Sequence, residues 1–394
     1  MDPRLNPYAP GAGNPPPELA GRDGLIEGAA IALDRIRLQR AARSFIYYGL
    51  RGVGKTVLIN KIRLDAEARG FATVPIEAPE GRSLPGVLVP SLRAALLRLS
   101  RGEALKAGLA KSMRALAGFA EALKIKYDDI EVGFDFDTEQ GLADSGDLDI
   151  DLADLLLAVG EAAAERKAAF VMVVDELQYV PEAQLASLIA ALHRVNQNQL
   201  PVTLIAAGLP QLLGQMGRAK SYAERLFEFT LIERLDEAAA REAIVNPAAA
   251  EDVLYDDDAV DAIISETQCY PYFLQEWGKH SWDIADDAPI TLADVQNASE
   301  AALAQLDASF FRVRFDRLAP SEKRYLRAMA ELGIGPHRSG DIADILDKKV
   351  STVAPTRATL IAKGMVYSLS HGDNAFTVPL FDGFMKRVMP EVER

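Results

Sequence analysis

Residues 49–56, GLRGVGKT, constrain the fold of this 394-residue chain more than any other stretch. They fill all four fixed positions of the pattern G-x-x-x-x-G-K-[ST], after the apolar run SFIYY and before a helical segment, which is the context the pattern requires. Glycines at these positions let backbone N–H groups turn inward around phosphate oxygens, and the N-terminus of the following helix adds a favourable dipole. The candidate binding loop therefore comprises Gly49, Leu50, Arg51, Gly52, Val53, Gly54, Lys55, Thr56 and Val57. Lys55 is placed to face β and γ phosphates, and the Thr56 hydroxyl to meet Mg²⁺.

Such a loop belongs in a parallel α/β sheet, and the flanking pattern agrees. SFIYY (44–48), FATVPIE (71–77), FVMVVDE (170–176), PVTLIAAG (201–208) and LFEFTLI (226–232) each read as a strand, separated by helical periodicity. The expectation is a three-layer domain over residues 25–235, preceded by an extended, Pro-rich segment at 1–24. An insert at about 84–150 holds two helical stretches, then an acidic run in which IEVGFDF alternates as a short hairpin with its carboxylates on a solvated face. Residues 236–306 read as helical throughout. Residues 315–394 read as three helices followed by two strands turning at HGDN, a winged helix.

Composition narrows the chemistry. One cysteine, Cys269, and four scattered histidines supply neither an internal disulfide nor a His/Cys metal site. No run of eighteen apolar residues suggests a membrane span, and the N-terminus has no signal-like pattern, so a cytoplasmic protein is expected. The net charge of −14 opposes whole-chain affinity for nucleic acid. It is unevenly spread: residues 319–394 carry 11 basic and 9 acidic side chains, an excess of +2, and the preceding residues carry −16. The C-terminal segment is electrostatically distinct.

A second motif completes the first. FVMVVDELQYV is an apolar strand that delivers Asp175 and Glu176 at its C-terminal end, where ligands bind in open parallel sheets. Asp175 is the candidate second Mg²⁺ residue, and Glu176 the general base for an attacking water.

Together GLRGVGKT, VMVVDE, PVTLIAAG and SYAERLFEF resemble the AAA+ superfamily of P-loop ATPases, particularly the branch of origin-recognition and archaeal initiator ATPases and the related STAND ATPases. That resemblance implies ATP and Mg²⁺ as ligands, a sheet of order 5-1-4-3-2, a helical lid at 236–306, a C-terminal winged helix and assembly into a homo-oligomer. In PPELAGRD it implies that Leu19, Ala20 and Arg22 line the adenine, where a plain linker is the other reading. In SYAERLFEF it makes Arg225 an arginine finger reaching a neighbouring subunit, against a surface arginine paired with Glu224 or Glu228. In CYPYFLQEW it sets Tyr270 and Pro271 against the nucleotide. Two departures from the family pattern point to slow turnover: that lid stretch has no arginine, and the fourth strand ends in Ala207-Gly208 where a polar sensor is common, leaving Gln211 as a substitute.

The winged helix carries two readings. Its third helix presents Lys348, Lys349, Thr352, Thr356, Arg357 and Lys363, a set suited to phosphates and base edges of duplex DNA. Pro355 is tolerable in a first turn, so that helix is expected to begin near Val353 or Ala354. The wing tip has no lysine or arginine, which suits contact with a protein partner. The expected function is a slowly hydrolysing ATPase acting as a nucleotide-controlled switch on DNA, or else a STAND-like regulator acting on a protein.

Overall fold

The computed structural model describes residues 1–11, 13–78, 81–100, 107–125, 141–368 and 372–392. They form two compact units, residues 22–48 with 55–231, and residues 1–21 with 49–54 and 232–394. Each has its own apolar core.

The first is a sheet unit. In chain order it holds α1 (Asp23–Arg37), β1 (Ser44–Tyr48), α2 (Lys55–Ala68), β2 (Ala72–Glu77), α3 (Leu84–Ser100), α4 (Ala107–Ala122), α5 (Leu148–Glu165), β3 (Phe170–Asp175), α6 (Glu182–Gln197), β4 (Val202–Gly208), α7 (Leu212–Ala219), α8 (Ala223–Leu226) and β5 (Phe227–Leu231). The five strands are all parallel, in the order β2-β3-β4-β1-β5, which from the other edge reads 5-1-4-3-2. All seven residues of β4 are buried, as are the first five of β3, so both strands are continuous apolar runs. Register aligns the strand ends: Asp175 pairs with Glu77, and Gly208 with Tyr48.

The inserted helices are part of this core. Leu92 and Leu96 of α3 and Leu109, Met113, Leu116 and Phe119 of α4 pack into the same cluster as the strands. Ser112 donates to the Ala158 carbonyl at 2.9 Å, tying α4 to α5. The hairpin expected at IEVGFDF lies outside the described residues. One acidic residue departs from the solvated face expected for this run. Asp151 is fully buried and accepts hydrogen bonds from the Ser145 amide and hydroxyl and the Gly146 amide, at 2.9, 2.7 and 2.8 Å, which close the turn before α5.

The second unit is mainly helical, with α9 (Glu237–Ala249), α10 (Asp257–Thr267), α11 (Pro271–Ile284), α12 (Leu292–Leu306), α13 (Arg312–Asp316), α14 (Pro320–Glu331), β6 (His337–Arg338), α15 (Ser339–Ile345), α16 (Val350–Ala362), β7 (Val366–Tyr367), β8 (Asp373–Phe376) and α17 (Phe381–Val388). The three short strands form an antiparallel sheet of order β6-β8-β7. Residues 236–306 and 315–394, separated in the sequence reading, share one core that runs from Trp277 and Leu306 to Phe311, Tyr325 and Phe381.

Several local expectations are corrected here. The first of the three helices expected in 315–394 is split: α13 ends at Asp316, and Pro320 starts α14 at its first position, where a missing N–H costs nothing. α16 begins at Val350, earlier than expected, with Pro355 at its sixth position. The bond that Pro355 cannot give falls to the Ser351 carbonyl, and Ser351 is exposed, so water can satisfy it. Strand β6 and helix α17 went unanticipated; α17 buries Phe381, Phe384 and Met385 on one face.

Residues 1–11, read as an extended segment, form a strap along α11. Asn6 donates to the Lys279 carbonyl and Asp283, at 3.0 and 2.8 Å, and the Trp282 indole donates to the Asp2 carbonyl at 3.0 Å. Tyr8 is buried, its hydroxyl bonded to the Ile244 carbonyl. Its ring fills the space left by Gly278, where a Cβ would stand 2.7–2.9 Å from three ring atoms. Gly278→Ala is therefore expected to displace Tyr8 and cost about 1–3 kcal/mol, in the range for overpacking a filled site. Denaturant unfolding measures this, and Tyr8→Ala should add little to the Gly278→Ala loss; an unchanged midpoint in Gly278→Ala would show that the strap is not held.

Candidate functional site

In the sheet unit the two motifs meet. Lys55 and Thr56 open α2, and Lys55 is buried. The Thr56 hydroxyl donates to Asp175 Oδ2 at 2.5 Å, across 119 residues of sequence. The other carboxylate oxygen, Oδ1, accepts the Glu176 amide at 2.8 Å. Burial pushes the Asp175 carboxyl above its usual range, opposed by the Thr56 hydroxyl, the Glu176 amide and the Lys55 charge.

Glu176 turns the chain out of β3. Its backbone is left-handed, at φ +52°, and one turn of 3-10 helix, Leu177–Tyr179, follows. A non-glycine residue there is uncommon, and such conformations concentrate at functional sites. Its carboxylate accepts from the side-chain amide of Gln178, which is buried. Sequence reasoning passed over Gln178, although it stands in the quoted motif, because its partner depends on the turn. Gln211, the expected substitute at the end of β4, sits just before α7, and its Oε1 is buried with no hydrogen-bond partner among the described residues.

The glycine half of the binding loop belongs to the helical unit. Gly52 and Gly54 have φ of +83° and +88°, conformations that glycine adopts without steric cost. Gly49 is required by close approach, since a Cβ there would fall 2.1 Å from the Ile232 carbonyl oxygen. Within this unit the loop is held twice. The Tyr272 amide donates to the Gly52 carbonyl at 3.2 Å, and the Arg51 amide donates to the Thr377 carbonyl at 3.0 Å. Thr377 follows β8 and is fully buried, its hydroxyl bonded to the Gly364 and Met365 carbonyls after α16. Neither Tyr272 nor Thr377 carries a sequence signal for this role.

The remaining candidates fall as follows. Tyr270 precedes α11 and Pro271 is its first residue, one position from Tyr272. Ala20 is buried in the helical unit's core, in the cluster that includes Leu235 and Ala239, and Leu19 is partly buried. Arg22 stands at the start of α1. Arg225, in α8, is exposed, and its side chain has no ion-pair partner among the described residues, Glu224 and Glu228 included.

Lys348 and Lys349, just before α16, and Thr352, within it, are exposed, and Thr356 is half-buried. Arg357 is committed inside the unit: it donates to Asn374 Oδ1 at 2.5 Å, Ser368 Oγ at 2.9 Å and the Asp373 carbonyl at 3.3 Å. Asn374, fully buried, in turn bonds the His337 carbonyl and Ser339 hydroxyl. Lys363 is paired with Glu322 at 2.7 Å.

Comparison with known proteins bears on both halves. Residues 18–205 match a family described as an AAA ATPase domain, and residues 308–385 match a domain of unknown function (DUF8462). No curated protein matches the chain. Among solved structures, the Walker-type ATPase PABY2304 of Pyrococcus abyssi is similar at TM-score 0.61 and 14% identity, over 97% of this chain and 99% of that one. Less similar are the RuvB Holliday junction branch migration motor of Thermotoga maritima (TM-score 0.47, 15% identity, 94% and 95% covered) and the ORC1 protein of Aeropyrum pernix in complex with DNA (0.45, 15%, 94% and 94%). Residues 18–205 thus resemble an AAA ATPase domain, and the chain shares the fold of the Walker-type ATPase.

Proposed function

We propose that this protein binds ATP with Mg²⁺, hydrolyses it slowly, and uses the nucleotide state to control its helical unit. The observation that carries the reading is the Thr56–Asp175 hydrogen bond, which joins the lysine-threonine motif to the acidic strand end. Among the described residues no cluster of three or more His, Cys, Asp or Glu could hold a metal by itself, which suits Mg²⁺ bound largely through phosphate oxygens and water. Thr56 and Asp175 form an all-oxygen pair of the right kind to hold it, and the cation would neutralise phosphate charge. Lys55 faces the same charge. Glu176 accepts the proton of the water that attacks the γ-phosphorus as the bond to the departing ADP oxygen breaks. Leu19, Ala20, Arg22, Tyr270 and Pro271 are proposed for the base side of the nucleotide. Control is supported by the two backbone bonds that tie Arg51 and Gly52 to Thr377 and Tyr272.

Arg225 is proposed as a finger acting on a neighbouring copy, supported by its exposure and lack of an ion-pair partner among the described residues. For the C-terminal region, read as a winged helix, duplex DNA is the proposed partner through Lys348, Lys349, Thr352 and Thr356. A second reading, a STAND-like regulator bound to a protein partner, is favoured by the commitment of Arg357 and Lys363 to internal bonds. Among the described residues no helix is long and apolar enough to cross a membrane.

Lys55→Ala should weaken ATP binding by about one to two orders of magnitude, the loss expected for a hydrogen bond to a charged group. Glu176→Gln should bind ATP normally and lose turnover. Calorimetry and phosphate release separate the two, and wild-type turnover in Glu176→Gln removes it as the base. Arg225→Ala should bind ATP yet hydrolyse it poorly, with activity partly restored on mixing with Lys55→Ala protein; turnover per chain that is independent of concentration argues against action between copies. Lys348→Ala/Lys349→Ala should reduce duplex binding by the ATP-loaded protein and flatten its salt dependence by about two counterions. Absence of any duplex binding at low salt selects the protein-partner reading.

A further inference from the structure

The geometry points to Gln178 as a positioning residue for Glu176, supplying from the turn after β3 the polar group that the end of β4 lacks. This rests on the reading of Glu176 as the base. Four features of the sheet unit carry it. The Gln178 side chain is 5% exposed, and both ends of its amide are used. Its Oε1 accepts the Leu209 amide, the first beyond β4, at 3.0 Å, and its Nε2 donates to Glu176 Oε2. The orientation is forced: a backbone N–H can only donate, so Leu209 must face the oxygen, which leaves the NH₂ group for the carboxylate. Its own carbonyl accepts from Gln215 Nε2 of α7 at 3.3 Å.

Gly208 completes the arrangement. A Cβ at this position would stand 2.8 Å from Gln178 Oε1 and 2.7 Å from Leu212 Cδ2. The glycine that ends β4 therefore leaves room for Gln178, whose amide supplies polar groups at that strand end. Glu176, set on a left-handed turn, is connected through one side chain to the end of a neighbouring strand. Such a link restricts where the carboxylate can stand when water is to be deprotonated.

Two substitutions separate the ends of the amide. Gln178→Glu keeps an acceptor for the Leu209 amide but turns a carboxylate toward Glu176. We expect kcat for ATP to fall about tenfold or more while KM stays within about twofold, the pattern of a group that acts on the transition state only. Leu209 amide exchange, followed by NMR on the nucleotide-free protein, should be unchanged. Gln178→Met, similar in shape but without hydrogen bonds, should lose the same turnover and also exchange the Leu209 amide about tenfold faster. In a Glu176→Gln background, whose slow residual hydrolysis is followed as single-turnover phosphate release, Gln178→Glu should cause no further loss, because its effect runs through the carboxylate.

Wild-type kcat in Gln178→Glu, alongside a Glu176→Gln variant reduced to slow residual hydrolysis, would overturn the positioning role and leave the base assignment standing. So would a further loss in the double variant equal to that of Gln178→Glu alone, since that marks a general structural defect. Wild-type turnover in Glu176→Gln would remove the base assignment, and the role of Gln178 with it. Leu209 exchange unaltered in Gln178→Met would show that the link to β4 is absent in solution.

Discussion

Burial of both faces of a parallel sheet is the constraint from which the site follows. β3 and β4 have almost no exposed side chain, so polar chemistry can emerge only where the strands stop. Parallel pairing brings those stops together. Asp175 ends β3, Gly208 ends β4, and Tyr48 ends β1 in register with Gly208. The Thr56 hydroxyl at the start of α2, the Asp175 carboxylate at the end of β3 and the Gln178 amide in the turn after it all stand where the chain leaves this apolar slab, each with a hydrogen-bond partner that replaces lost water.

Where the decisive physics is local, the sequence is readable. Five runs predicted five strands within a residue or so: β3 and β4, buried on two faces, carry no charged residue before their ends, while the edge strands β2 and β5 keep enough buried apolar residues to be read despite exposed ones such as Glu228. The positive-φ glycines Gly52 and Gly54 and the lysine-threonine pair lie within one short segment, and their spacing alone implies the turn. Asp175 and Glu176 are legible for the same reason.

What was hidden depends on contacts that no local pattern announces. Arg357 reads as a surface cation until Asn374 and Ser368 are brought beside it, and Lys363 until Glu322 is. Asp151 looked like one acid among many in a charged run, yet three donors from its own turn let it be buried. Helix α17 is short, contains Gly383 and follows a proline, so its periodicity was too brief to stand out against the neighbouring strand. Tyr8 gave no signal at all, because its burial depends on the space at Gly278.

The crowding around Gly208 also restricts how such a chain can change over generations. A polar side chain introduced at that strand end would collide with Gln178 and Leu212, so it gains nothing until both have been replaced. Replacing Gln178 first would strip the Leu209 amide and the Glu176 carboxylate of their shared partner before any successor exists. A change at either position is therefore constrained by the side chain at the other, and the room left by Gly208 and the amide of Gln178 act as one structural unit.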